Sequence, residues 1–292
     1  MEKRKEQVLP TLLPGNVVGK PRISIIVSTY NQLSYVKYNL KAYRWVYDNQ
    51  FQDFEIIFAD DGSKDGTDKY IEEITTRQIF PFPVQCVWHE DRGFRRALIQ
   101  NKAIEEARGQ YVLIMDVDTF PGEMTFPPLL EKISRPFVEL KEAYMGIRWK
   151  VNWEKLKDKP YSLENIHRSI IKAKDFRGWI RNIPPAPYYT FSGVNVLFNR
   201  IRFIAMGGNP QSFNGFGYED YYIALKWLGE GGTITALNDS ICFHVDHSNT
   251  EGGLDNYLKL RELEGRLLRR VKQMFPDYND APYPDRRETR PA

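Results

Sequence analysis

Apolar runs of strand length recur along the first 120 positions, each closing on a polar cluster. "ISIIVS" (23–28), "EIIFA" (55–59), "VQCVW" (84–88) and "YVLIM" (111–115) are nearly continuous, as strands buried on both faces are. Between them the period changes to that of helices. Leu33, Val36, Leu40, Tyr43 and Val46 share one face, Tyr70, Ile71 and Ile74 another, and Phe94, Ala97, Asn101, Ile104 and Ala107 a third, ended by Gly109. This alternation predicts an α/β, Rossmann-like fold, a mostly parallel central sheet flanked by helices. Ligands of such sheets sit beyond the C-terminal ends of the strands. Ser28-Thr29-Tyr30, Asp60-Asp61, residues 89–96 and Asp116-Val117-Asp118 are therefore predicted to share one rim.

The second half reads differently. Residues 150–190 are polar and Pro-rich and predict irregular chain with one helix. "YTFSGVNVLF" (189–198) predicts a strand, Glu219 to Leu228 a helix, "ICFHVDH" (241–247) a short strand. Leu254 to Phe275 predicts an amphipathic helix with Tyr257, Leu258, Leu260, Leu263, Leu267, Leu268 and Val271 on its apolar side. The organisation expected is an N-terminal tail (1–20), a main domain (21–250, divided into 21–120 and 121–250), and a C-terminal helix and tail (251–292).

Composition narrows the class. A net charge of +3 gives no argument for nucleic acid. The two cysteines, Cys86 and Cys242, exclude a disulfide framework and favour a reducing, cytoplasmic setting. No apolar run approaches the roughly 20 residues that span a bilayer, and no signal-peptide core is visible. The C-terminal helix, with Arg261, Arg266, Arg269, Arg270 and Lys272, could lie on an anionic membrane, but packing on the domain or a partner is the expectation.

Candidate chemistry gathers on the predicted rim. The chain has 18 Asp, so chance alone gives about one D-x-D, and it is the strand context that makes Asp116 and Asp118 informative. Alternation in an extended segment would point both carboxylates the same way. Such hard oxygen ligands suit Mn²⁺ or Mg²⁺ carrying a diphosphate, against the plainer reading of two solvated loop acids. "DDGSKDGT" (60–67) has EF-hand spacing but follows a strand, which rules that reading out; it is either a plain strand-to-helix turn capped by Ser63 or Asp65, or a site where Asp61 accepts from a nucleobase N–H. Arg92, Arg95 and Arg96 beside a helix start favour phosphate, or else pair with Glu90 and Asp91. Glu219 and Asp220 are either dipole-stabilised first-turn acids or a pair containing a general base. His244 and His247 are borderline ligands for Mn²⁺. Trp179, Tyr188, Tyr189, Phe213 and Phe216 form an acceptor wall or belong to the core.

"ISIIVSTYNQ", "FEIIFADDGSKDGT", "RGFRRALIQNKAIEEARGQYVLIMDVD" and "GFGYEDYYIALKWLGEGG", in this order, resemble the family 2 glycosyltransferases of GT-A fold. The last segment is similar to that of the β-1,4-galactosyltransferase and chondroitin-polymerase-like enzymes. The resemblance covers roughly residues 22–250. It implies a UDP-sugar donor, a glycan acceptor and an inverting, metal-dependent transfer. Ser28, Thr29 and Tyr30 would line the nucleotide site, Asp61 would contact uracil, and Arg95 or Arg96 would approach the diphosphate. Asp118 and His244 would bind metal, with Asp116 at the ribose or metal. Asp220 would be the catalytic base, Glu219 would hold donor or acceptor hydroxyls, and Tyr218, Phe216, Trp179 and Tyr189 would face the acceptor. The sequence departs from the family at Tyr218, where relatives carry Gly, and at Gln100, where Arg is common; the first leaves the sugar open. The alternatives are a retaining transferase, a non-catalytic nucleotide-sugar or glycan binder, and, more distantly, a nucleotidyltransferase.

Overall fold

A computed structural model describes residues 20–135, 140–171, 191–213, 215, 217–247 and 254–278. The predicted strands form as β1 (Ile23–Thr29), β2 (Phe54–Asp60), β3 (Val84–Trp88) and β4 (Tyr111–Asp116). They lie in the order β3-β2-β1-β4, all parallel. Helices α1 (Leu33–Asn49), α2 (Thr67–Thr76) and α3 (Arg96–Glu106) connect them. β1 and β2 are buried almost throughout, which is why they read as continuous apolar runs.

The second half extends the same sheet. β5 (Thr119–Pro121), β6 (Glu142–Val151), β7 (Val196–Asn199) and β8 (Thr233–Val245) continue the order as β4-β7-β6-β8-β5. β7 is antiparallel to both β4 and β6, and β8 is parallel to β6. Two reversals therefore return β6 and β8 to the direction of β4. The C-terminal ends of six strands open on one rim, and His244 arrives there together with Asp118.

Helices cover both faces. α1, α2 and α4 (Pro127–Ile133) pack with Ile25, Phe58, Leu113 and their neighbours. The other face carries α3, α6 (Arg200–Ala205), α7 (Glu219–Gly229) and α8 (Leu254–Met274) over Ile26, Val112, Phe198 and Trp227. Trp227 is fully buried and donates to Lys141 O and Thr233 O, so its indole N–H is not stranded in the core. Truncating a buried aromatic of this size costs about 3–5 kcal/mol.

Several expectations change. The strand predicted over 189–198 is confined, among the described residues, to Val196–Asn199, because Asn195 adopts φ 58° and breaks the extended run. The strand predicted at 241–247 begins much earlier, at Thr233. The irregular stretch holds a short 3-10 turn (Trp153–Lys155) and helix α5 (Leu163–Ser169). α8 buries Leu260, Leu267 and Val271 against its own domain but leaves Leu258 and Tyr257 exposed, off the predicted apolar face. Phe213 is a core residue and no part of an open wall. Trp179, Tyr188, Tyr189 and Phe216 lie outside the described residues, as do the first 19 residues and the tail after Tyr278. No described helix is long and apolar enough to cross a membrane.

Candidate active site

β4 ends at Asp116, and the chain turns at once through Val117 and Asp118. The turn is clamped from α1, where Asn39 Nδ2 donates to Val117 O (3.1 Å) and Thr119 O (2.8 Å). Because the segment turns, the two carboxylates part company, contrary to the extended alternation expected of them. Asp116 Oδ1 accepts from Arg96 Nη2 at 2.7 Å. Asp118 Oδ2 lies 3.6 Å from His244 Nε2 and 3.2 Å from His247 Nε2.

The second pairing follows from register. Thr119 stands opposite His244 between β5 and β8, and Val245 N donates to Asp118 O at 2.9 Å. One ligand atom from each of Asp118, His244 and His247 lies within 4.8 Å of the others. Both histidines thus face the acid, where the resemblance implied His244. Asp116 is not in this group; its charge is met by Arg96. Burial works against the charged form of each group here. It lowers His244 overall, whereas at Asp118 the two imidazoles and Arg148 outweigh it and hold the carboxyl below its ordinary range. Asp118 Oδ1 is buried and has no partner among the described residues.

Arg96 is the hub of a second cluster. Its Nη1 donates to Glu219 Oε1 at 3.2 Å, across 123 residues of sequence, and lies 3.6 Å from Asp220 Oδ1. Its Nη2 also donates to Gly193 O at 3.2 Å. One buried guanidinium therefore joins the end of β4 to the start of α7. The acids stand in the first turn of α7, which leaves a loop with Gly217 at φ 97° and Tyr218 at φ 69°. Tyr218 occupies a left-handed conformation that favours glycine. Asn256 of α8 fastens this loop by donating to Gly215 O (3.2 Å) and Gly217 O (3.1 Å).

The two acids differ in environment. Burial, and then the neighbouring Asp220, push Glu219 up to about 7 despite Arg96. Its side chain is 10% exposed, against 34% for Asp220. Asp220 is thus the acid that an incoming group can reach. Gly193 makes its position available, since a Cβ there would overlap Asp220 Oδ1.

The nucleotide-side residues fall on the rim as well. Ser28 Oγ accepts from Gln100 Nε2 (2.7 Å), and Gln100 Oε1 accepts from Asn209 Nδ2 (3.0 Å), so the Gln that replaces a common Arg has a bridging role. Asp61 is buried and accepts from the Arg95 backbone N–H at 2.7 Å. Asp65 caps two helices, through Leu33 N (2.9 Å) and Thr67 N (3.1 Å). Tyr30 is exposed and donates to Asp91. Neither arginine proposed for phosphate is uncommitted. Arg95 donates to Glu90 O, and Arg96 is surrounded by carboxylates. Arg92 pairs with Glu90 at the surface.

Sequence reasoning missed Asn39, Gly193 and Arg148. Asn39 was detectable as a polar residue between Val36 and Leu40 on a buried helix face. Arg148 is exposed near the C-terminal end of β6, opposite Cys242 and two positions before Lys150, which faces His244.

Comparison with known proteins adds to this geometry. Residues 24–201 match the sequence model described as glycosyl transferase family 2. Chondroitin synthase of Escherichia coli is 23% identical over 89% of this chain and 43% of its own length. Validoxylamine A glucosyltransferase of Streptomyces hygroscopicus subsp. jinggangensis is 21% identical over 91% of this chain and 64% of its own. The chain thus spans under two thirds of either relative. Among solved structures, S. aureus TarS 1–349 in complex with UDP-GlcNAc superposes with a TM-score of 0.60 at 17% identity, covering 87% of this chain and 71% of that one. The mannosyltransferase PcManGT from Pyrobaculum calidifontis, in complex with GDP-Man and Mn²⁺, gives 0.52 at 20% identity over 94% and 69%.

Proposed function

The chain belongs to glycosyl transferase family 2 and has the GT-A fold of its structural neighbours, and from that premise we propose an inverting, metal-dependent glycosyltransferase. It moves a hexose or N-acetylhexosamine from a UDP-sugar to a hydroxyl of a glycan or other acceptor. The observation that carries this reading is the Arg96 junction. It sets an accessible carboxylate, Asp220, and a buried one, Glu219, against Asp116, two residues from the Asp118–His244–His247 group. The UDP-GlcNAc complex of TarS supports a nucleotide-sugar donor.

The donor set fits a divalent metal. One carboxylate and two imidazoles, with a buried unpartnered Asp118 oxygen, suit Mn²⁺ better than Mg²⁺, which prefers oxygen alone. Asp118, His244 and His247 would hold the ion, and when bound it supplies positive charge for the departing diphosphate. On the protein's side, Ser28, Thr29 and Tyr30 line the nucleotide and Asp61 accepts from the base. Asp220 takes the proton from the acceptor hydroxyl as that oxygen attacks the anomeric carbon. Arg96 holds Asp116 and both α7 acids in register. Glu219, its carboxyl pushed up to about 7 by burial, is present near neutrality in both the acid form that donates and the ion that accepts, and it meets sugar hydroxyls. Residues 21–250 act as the catalytic unit, and Tyr218 stands where sugar identity is read.

Asp220→Asn is the test. It should abolish transfer while leaving UDP affinity, measured by calorimetry, within about twofold of the parent. Transfer near the wild-type rate would place the base elsewhere. A donor screen with Mn²⁺ identifies the sugar, and the anomer of the product, read by NMR, decides inversion.

A further inference from the structure

Asp61 is gripped on both oxygens by one loop. His89 Nε2 lies 2.5 Å from Oδ1, and the Arg95 backbone N–H donates to Oδ2 at 2.7 Å. The imidazole is 1% exposed, and its Nδ1 has no partner among the described residues. The contact with Asp61 is therefore the polar interaction that accounts for a histidine at this buried position. With Nε2 as the donor, both Asp61 oxygens serve as acceptors, one to the imidazole and one to the backbone.

The surrounding backbone is shaped for this contact. Gly62 has φ +95°, and a Cβ there would stand 2.5 Å from Asp91 N, so the loop after β3 can lie directly on the loop after β2. Tyr30 and Lys64 both donate to Asp91 Oδ2, at 3.2 and 2.7 Å, which ties that loop down. At the end of β1, Thr29 O accepts from Asp61 N at 3.0 Å, and Thr29 Oγ1 is buried without a partner among the described residues. An anchored acceptor thus sits beside an unsatisfied hydroxyl on the rim.

We propose that His89 is a positioning residue that donates from Nε2 and holds the Asp61 carboxylate in place as an acceptor, and that this pair makes the site select uracil over cytosine. The inference rests on the UDP-sugar reading. Uracil presents an N–H at N3, whereas cytosine presents a lone pair there. A carboxylate that can only accept bonds the first and repels the second. An Asp61 free to rotate away would discriminate less between them.

Calorimetry with UDP and CDP on the full chain tests this. His89→Leu should cut the UDP-over-CDP preference by about tenfold or more, the scale of one charge-assisted hydrogen bond. His89→Gln, whose amide N–H can reach the same oxygen, should retain it. In turnover the Leu variant should raise KM for the UDP-sugar and leave kcat, because His89 touches none of the acids around Arg96. ¹⁵N NMR of the wild-type imidazole gives a readout that does not depend on any variant folding, and the proton facing Asp61 should sit on Nε2. A bare Nε2, or an unchanged preference in a folded His89→Leu, overturns the proposal while leaving the transferase reading intact. Wild-type protein that binds no UDP overturns both.

Discussion

Gly193 and Asp220 show how narrowly the carboxylate proposed as the base is accommodated. The backbone at 193 accepts from Arg96 and leaves room for Asp220 where a methyl group would intrude. Gly193→Ala should therefore displace the carboxylate and lower kcat by about 10²-fold, with UDP affinity little changed; steady-state kinetics beside calorimetry would separate the two. Asp60 carries a different prediction. Burial pushes its carboxyl up to about 6, against three hydrogen bonds from Gly62 and Ser63 that favour the ion. A folded-state value above the unfolded one means the native state holds the proton more tightly. Its stabilisation is complete below about pH 3.8 and fades as pH rises through about 6. Roughly 1–3 kcal/mol is at stake. Asp60→Asn should flatten that part of the Tm-against-pH curve.

Single elements bring functional groups in from a distance. β6 delivers Arg148, whose guanidinium forms no hydrogen bond or ion pair among the described residues and whose charge acts on Asp118 and His244. With Arg95 and Arg96 committed elsewhere, it is the cation to test for the diphosphate. Arg148→Gln should weaken UDP by about tenfold and leave uridine unaffected in parallel titrations. α8 delivers Asn256. Asn256→Ala should release two carbonyls of the loop before α7 and lower turnover more than nucleotide affinity, read as a kcat loss with KM for donor retained. How legible an element was follows from its burial. β1 to β4 could be read because strands covered on both faces are continuous apolar runs. β6, "EAYMGIRWKV", mixes exposed Arg148 with half-buried Trp149 and Lys150 and carries an irregularity at Gly146/Ile147, so neither period emerges. The acids and histidines could be picked out by type, but their grouping could not. Nothing local in Arg96 shows that its partners lie on α7, and D-x-D spacing does not reveal the turn at Val117.

On the scale of the whole molecule, one continuous sheet runs through both halves, and Arg96, the Gln100–Asn209 contact and a shared core tie them further. The matched family segment ends at residue 201, before Glu219, Asp220, His244 and His247. Asp118 and Arg96, inside that segment, thus meet partners that lie outside it, and do so only in three dimensions. The seating of β8 has a consequence for assembly. It pairs with β6 along its length and with the three-residue β5 near its end, and only this second pairing brings His244 to Asp118. Before that edge closes, the chain holds one carboxylate and two distant imidazoles with little chelating power. Mn²⁺ should consequently act as a late fastener of the fold, raising Tm with concentration by mass action. The same ion should slow hydrogen exchange at the β5–β8 edge first, leaving the parallel strands at the opposite end of the sheet unaffected.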